Sequence, residues 1–317
     1  MNNQFKDQMQ RRSLLKNIGL IAGGLSLPCM TNGSTAIPRP QRVLRIAHLT
    51  DIHIQPRILA AHGLAKCLHH LQNLDVKPDF IFNGGDMVMG SHHISREKSD
   101  REWELYHKVI KNENSLPVFT CVGNHDIWRK EDSVIAFQDG KNRANDKLEL
   151  PKSYYSFDRN GWHFIVLDSV HTKPDGAGYT AKLGEEQMEW LKTDLRNTPL
   201  HTPVMVVSHI PVLSACVFLD GQNVKEDNWH LPGSWMHTDC AALVRLFYNH
   251  KNIKLAVSGH IHLQDQVVYN DVTYCCNGAV CGDYWFGKNQ QTKAGYAIVD
   301  LFSDGSFTNQ YVSYPRI

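Results

Sequence analysis

Five short apolar runs, each of strand length and each stopping at a polar cluster, constrain this chain more than any other feature. Residues 43–49 run into Thr50-Asp51-Ile52-His53, residues 80–82 into Asn83-Gly84-Gly85-Asp86, and residues 118–122 into Gly123-Asn124-His125-Asp126. Further on, 203–207 stops at Ser208-His209 and 254–257 at Ser258-Gly259-His260-Ile261-His262. Between the first three runs, residues 58–74 carry Leu59, Leu64, Leu68 and Leu71 at helical spacing, and 100–112 place Trp103, Tyr106 and Ile110 on one side. Strand–helix–strand alternation implies parallel pairing through right-handed crossovers. Ligands of such sheets bind beyond the carboxyl ends of the strands, and that is the edge where the polar clusters fall.

The second half repeats the habit. Residues 153–158 and 162–168 read as a hairpin about Asn160-Gly161, and 184–196 as a helix with Met188, Leu191 and Leu195 on one face. Residues 265–269, 272–276, 295–301 and 306–312 alternate like an antiparallel set. The expected fold class is α/β, a four-layer α-β-β-α sandwich in which two mixed sheets are flanked by helices. A length of 317 residues suits one large domain with an appendage, and 42% hydrophobic with 21% charged residues supports a sizeable core. The formal charge of +1 gives no electrostatic case for a nucleic-acid polymer or an anionic membrane as partner.

The appendage reads as an address. Gln10-Arg11-Arg12-Ser13-Leu14-Leu15-Lys16 precedes a glycine-tempered apolar run over 18–25, then Pro28 and the small residues Gly33-Ser34-Thr35-Ala36. The run is too short to span a bilayer, which takes roughly 20 residues, so no stable membrane span is expected. The pattern resembles a bacterial twin-arginine signal over residues 1–36, cut after Ala36, with residues 37–317 as the exported domain. The twin-arginine export machinery would then be a partner and the periplasm the destination. Removing the signal turns the formal +1 into −2, because Lys6, Arg11, Arg12, Lys16 and Asp7 go with it. Cys29 goes too; the seven remaining cysteines form no CxxC pair and read mostly as small core residues, with none beside the polar clusters.

Carboxylates and imidazoles together suit manganese, iron or zinc. In Asp51-Ile52-His53 and His260-Ile261-His262 an extended segment would turn both outer side chains to the same side. Of the 18 histidines, His69, His70, His107, His163, His201 and His250 read as packing or surface residues, and His92-His93 as part of a solvated loop. Asp51 or Asp86 alone would read as a helix cap, and His209 alone as a core histidine. The five clusters together, each at a strand end and in this order, argue for a metal site.

In that order, D-x-H, GD, GNHD, a single H and GHxH, the chain resembles the calcineurin-like metallophosphoesterase superfamily over residues 51–262. The resemblance implies one divalent metal held by Asp51, His53, Asp86 and His262, and a second held by Asp86, Asn124, His209 and His260. Two cations about 3.5–4 Å apart need a shared anion, the role the bridging Asp86 would fill. The implied reaction is attack of a metal-bound hydroxide on a phosphate ester, since metal binding brings the pKa of water to about 7. In-line attack calls for an acid at the leaving group, and His125, beside Asn124 and not itself required as a ligand, is the candidate. Asp126 either orients His125 or caps a following helix.

Departures narrow the substrate. Protein phosphatases of the superfamily carry GDxxDRG and GNHE, and purple acid phosphatases place a tyrosine where this chain has Met89. The pattern is closer to the cyclic-nucleotide phosphodiesterase-like branch, so a small phosphodiester is expected. A phosphomonoesterase or nucleotidase of the same fold, or a non-catalytic metal-binding relative, is the alternative. Asn124 and His125 would meet the substrate. Trp285, in the aromatic segment 277–287, would line its pocket or else belong to a satellite apolar cluster.

Overall fold

The structure, a computed structural model, describes residues 40–90 and 94–315; the proposed export signal and His92-His93 lie outside the described residues. In chain order the elements are β1 (Arg42–Leu49), α1 (Ile58–Gln72), β2 (Phe80–Asn83), α2 (Arg96–Glu113), β3 (Val118–Thr120), α3 (Val134–Lys147), β4 (Tyr155–Arg159), β5 (Trp162–Leu167), β6 (Val170–Thr172) and β7 (Tyr179–Ala181). They continue with α4 (Glu185–Asn197), β8 (Val204–Ser208), β9 (Val224–Lys225), β10 (Asn228–Trp229), α5 (Cys240–Asn249), β11 (Ile253–Ser258), β12 (Asp265–Tyr269), β13 (Val272–Cys276), β14 (Gly295–Phe302) and β15 (Phe307–Ser313).

Two large sheets result, ordered β15-β14-β1-β2-β3 and β12-β13-β11-β8-β5-β4. The strands read as near-continuous apolar runs because both faces are covered. From β1, Leu44 and Ile46 point between the sheets, where Phe80 and Phe82 meet Phe164, Val166, Met205, Val207, Leu255 and Val257. Ala47 and Leu49 point the other way, onto Leu64, Leu68 and Leu71 of α1 and Trp103 and Tyr106 of α2. On the far side, Ile165, Val204 and Val206 pack against Leu191 and Leu195 of α4 and Leu243 and Phe247 of α5. The layers are helix, sheet, sheet, helix, as the alternation implies.

Three local expectations need correction. Helix α2 begins before residue 100, because the Ser95 side chain accepts the N–H of Lys98 and caps it there. Helices α3 and α5 were not anticipated; α3 buries only Phe137, Gly140 and Ala144, too few for an apolar period to show. The tail is not one antiparallel set. β12–β13 and β14–β15 are hairpins in different sheets, β13 lying parallel to β11 and β14 antiparallel to β1. Alternation reveals a hairpin but not the sheet it joins.

Candidate metal centre

The polar clusters leave the ends of β1, β2, β3, β8 and β11 and converge. The turn after β1 is laced to the turn after β2: Asp51 N–H donates to Gly85 O (3.0 Å) and His53 N–H to Asp86 O (2.9 Å). Val280 N–H donates to Thr50 O (2.9 Å) from the other side. Asp51, His53, Asp86, His260 and His262 all have left-handed backbone, with φ of 57°, 47°, 55°, 72° and 58°. Such a conformation costs a non-glycine residue about 1–3 kcal/mol. This corrects the extended geometry expected for Asp51–His53 and His260–His262: left-handed backbone at alternate residues, not a strand period, sets Asp51 beside His53 and sends His260 and His262 to different partners. Gly123 has to be glycine, since a Cβ there would run into the carboxylate and backbone N of Asp86.

The donor atoms fall into two groups that share one carboxylate oxygen. In the first, His53 Nε2 lies 3.0 Å from His262 Nε2, 3.7 Å from Asp51 Oδ1 and 3.6 Å from Asp86 Oδ2, and His262 Nε2 lies 3.4 Å from Asp51 Oδ1. In the second, His209 Nε2 lies 3.2 Å from Asp86 Oδ2, 3.1 Å from Asn124 Oδ1 and 3.2 Å from His260 Nδ1. All seven expected ligands are therefore brought together, with Asp86 Oδ2 between the groups. Behind them, His209 Nδ1–H donates to Gly84 O (2.8 Å) and His262 Nδ1–H to Gly282 O (2.9 Å), so their Nε2 lone pairs turn inward. Asp51 Oδ1 is buried without a hydrogen-bond donor. Lone pairs facing lone pairs beside an orphaned carboxylate oxygen form a donor set that fits divalent cations.

The electrostatics point the same way. Burial pushes the Asp86 carboxyl up, but His209, with His125 and His53, outweighs it and holds it below the usual carboxylate range. Burial pushes His209 down, yet Asp86 and Asp51 raise it to about 9. Burial lowers His53 to about 4 and His260 to about 3. A site that sets some imidazoles against others is stabilised by a cation that replaces their protons.

Around this centre the expected residues divide. His125 N–H donates to Asp86 Oδ1 (2.7 Å), its Nδ1 meets Met89 O at 2.5 Å, and its ring stands edge-on to His53 at 4.6 Å between centroids. Asp126 is a correction. Its buried carboxylate accepts backbone N–H bonds from Gly123 (2.8 Å), Asp86 (2.9 Å) and Met87 (2.8 Å), and neither orients His125 nor caps a helix, since α3 starts later at Val134. Trp285 follows the second of its two readings: its ring packs on Gly63 of α1 against the apolar core, and its indole N–H donates to His53 O (3.2 Å), so it braces the His53 turn from behind.

Three nearby residues had not been singled out. Tyr284 lies ring against ring with His53 (4.9 Å) and His262 (5.0 Å), and Tyr179 approaches His260 (6.4 Å). The Cys281 thiol sits within 4.8 Å of ring nitrogens of His53 and His262, which corrects the reading that no cysteine neighbours the clusters. Only Tyr284 left a signal, as the neighbour of Trp285 in a segment already marked as aromatic. Histidines read as structural do have ordinary partners: His163 bridges Asp158 and Asp194, and His70 meets the Tyr296 hydroxyl.

Residues 44–264 match the calcineurin-like phosphoesterase family. The chain belongs to that family. As a calcineurin-like phosphoesterase it is a hydrolase of phosphoester bonds. It is 23% identical over 290 residues to a 3',5'-cyclic-nucleotide phosphodiesterase of Nostoc sp., covering 86% of this chain and 93% of the relative. It is 22% identical over 240 residues to a probable glycerophosphodiester phosphodiesterase of Arcobacter nitrofigilis, covering 72% and 75%. Among solved structures, a dimetal phosphatase from Danio rerio shares the fold at a TM-score of 0.57 and 13% identity, over 87% of this chain and 100% of that one.

Proposed function

We propose that this phosphoesterase holds two divalent metal ions and hydrolyses a small phosphodiester. The observation that carries the reading is the shared Asp86 Oδ2, 3.6 Å from His53 Nε2 in one donor group and 3.2 Å from His209 Nε2 in the other. Asp51, His53, Asp86 and His262 would hold one ion, and Asp86, Asn124, His209 and His260 the other. Manganese, iron and zinc all suit these donors. Bound there, the metals acidify water and neutralise phosphoryl oxygens.

The chain's own groups do the rest. His125 Nδ1–H is engaged by the Met89 carbonyl, which leaves Nε2 to carry the exchangeable proton. As water-derived hydroxide forms the new P–O bond, the P–O bond to the leaving group breaks, and His125 gives that oxygen a proton. Asn124 and His125 would meet the phosphoryl group.

Charge supports a diester. The groups acting most strongly on Asp51, Asp86, His53, His209, His260 and His262 include no lysine or arginine. Two divalent cations exceed two carboxylates by two charges, and a hydroxide nucleophile leaves one, which a singly charged diester cancels. A doubly charged monoester would overshoot. The names of the two curated relatives agree with this preference. The test is turnover of bis-p-nitrophenyl phosphate against p-nitrophenyl phosphate by manganese-loaded protein. A higher kcat/KM for the diester is expected; preference for the monoester overturns it. The Arg11-Arg12 pattern supports export of the enzyme through the twin-arginine machinery to the periplasm.

A further inference from the structure

Two tyrosines face the centre from opposite donor groups. Tyr284 belongs to a segment pinned at two points: Gly282 O accepts from His262 (2.9 Å), and the Trp285 indole donates to His53 O (3.2 Å). Of the two residues between these anchors, Asp283 is exposed and Tyr284 stands over the His53–His262 pair, in a left-handed conformation (φ 45°). Strain of this kind persists where the surroundings over-determine it and clusters at functional sites. Tyr179 comes from β7, which is fixed by Ala181 N–H to Gly233 O (2.7 Å) and by the Thr180 hydroxyl to the same oxygen (3.0 Å). Its ring stands nearly perpendicular to that of His260, at 75°.

Both rings are half-buried, and no hydrogen bond to another described residue acts on either hydroxyl. The hydroxyls of Tyr106, Tyr155 and Tyr314 have such bonds, meeting Asn83, Thr120 and Val280, while that of Tyr274, buried in the core away from the centre, does not. A phenol is a good donor without charge. Resting on the diester reading above, we propose that Tyr179 and Tyr284 are substrate-binding residues that donate their O–H groups to the phosphoryl oxygens of a phosphodiester monoanion. Being uncharged, these donors add no positive charge to the site and so suit the singly charged ester.

Steady-state kinetics on Tyr179→Phe, Tyr284→Phe and the double variant, all manganese-loaded, test this together with calorimetric binding of inorganic phosphate. A hydrogen bond to a charged group is worth about 1.5–3 kcal/mol, so each single variant should lose about tenfold to a hundredfold in kcat/KM for bis-p-nitrophenyl phosphate. Phosphate affinity should fall with it, and metal content should stay at the wild-type value. Variants within twofold of wild type in both readouts overturn the inference, as does loss of metal from the Phe variants. If the wild type hydrolyses neither ester, the diester reading fails by itself, and phosphate affinity still decides whether the phenols bind the anion.

Discussion

The backbone N–H of Asp86 donates to the carboxylate of Asp126 at 2.9 Å. With Met87 and Gly123 doing the same at 2.8 Å each, one buried side chain fixes the turn that presents the carboxylate shared by the two donor groups. Asp126→Asn would point an amide NH2 at one of these donors and leave it unsatisfied, at about 1–3 kcal/mol. A lower melting temperature and a fall in bound manganese should follow. Wild-type melting and metal content in Asp126→Asn would contradict this positioning role.

Trp285 makes a related prediction. Removing a packed tryptophan ring costs about 3–5 kcal/mol, and here it also frees the His53 turn and the Tyr284 segment. Trp285→Ala should depress kcat/KM for large and small esters alike, with Trp285→Phe recovering part of the loss. A KM increase confined to the larger substrate would instead put the indole against the substrate.

The site histidines set the pH dependence of the metal-free protein. His53 and His260 are lowered by burial from 6.5 to about 4 and 3. Their contribution to stability is complete above about 6.5 and is lost as pH falls toward those values. His209 has the opposite sign. Burial lowers it but Asp86 and Asp51 raise it to about 9, so its contribution is complete below about 6.5 and is lost as pH rises through 9. Burial raises Asp126 from 3.8 to about 7, so its smaller contribution is complete below about 3.8 and is lost as pH rises toward 7. It is outweighed by the two histidines gaining stability over the same range. Melting curves of chelator-treated protein should therefore peak near pH 6.5 and decline on both sides. Added manganese should raise the melting temperature more at pH 8.5 than at pH 6, where the His209 proton must first leave. A monotonic profile would contradict these assignments.

Export is testable apart from catalysis. Replacing Arg11 and Arg12 by lysine should hold the chain in the cytoplasm of a bacterial host, whereas wild type should reach the periplasm shortened at the N-terminus. Equal distribution of both forms on cell fractionation would contradict the proposed address.

Much of the centre was legible because its residues sit where strands stop. Asp51, Asp86, Asn124 and His209 each follow an apolar run, and buried strands reveal themselves by composition. The way Asp51 and His53 meet was not legible, since left-handed backbone at Asp, His and Tyr leaves no compositional trace. Asp126 was placed in the right cluster with the wrong task, because its partners are backbone amides brought in from the turn after β2. Tyr179 and Cys281 reach the site through tertiary packing alone, and spacing along the chain carries no record of that. Between neighbours, pattern could not tell which aromatic faces the centre: Tyr284 does, and Trp285 backs it.

The most direct test of the central claim is metal stoichiometry by mass spectrometry, read beside diesterase activity, for wild type and Asp86→Asn. Because Asp86 Oδ2 belongs to both donor groups, wild type should bind two manganese ions and turn over bis-p-nitrophenyl phosphate, while Asp86→Asn loses at least one ion and about a thousandfold or more in kcat/KM. Two tightly bound ions with near-wild-type turnover in Asp86→Asn, or a wild type that binds only one, would contradict the account.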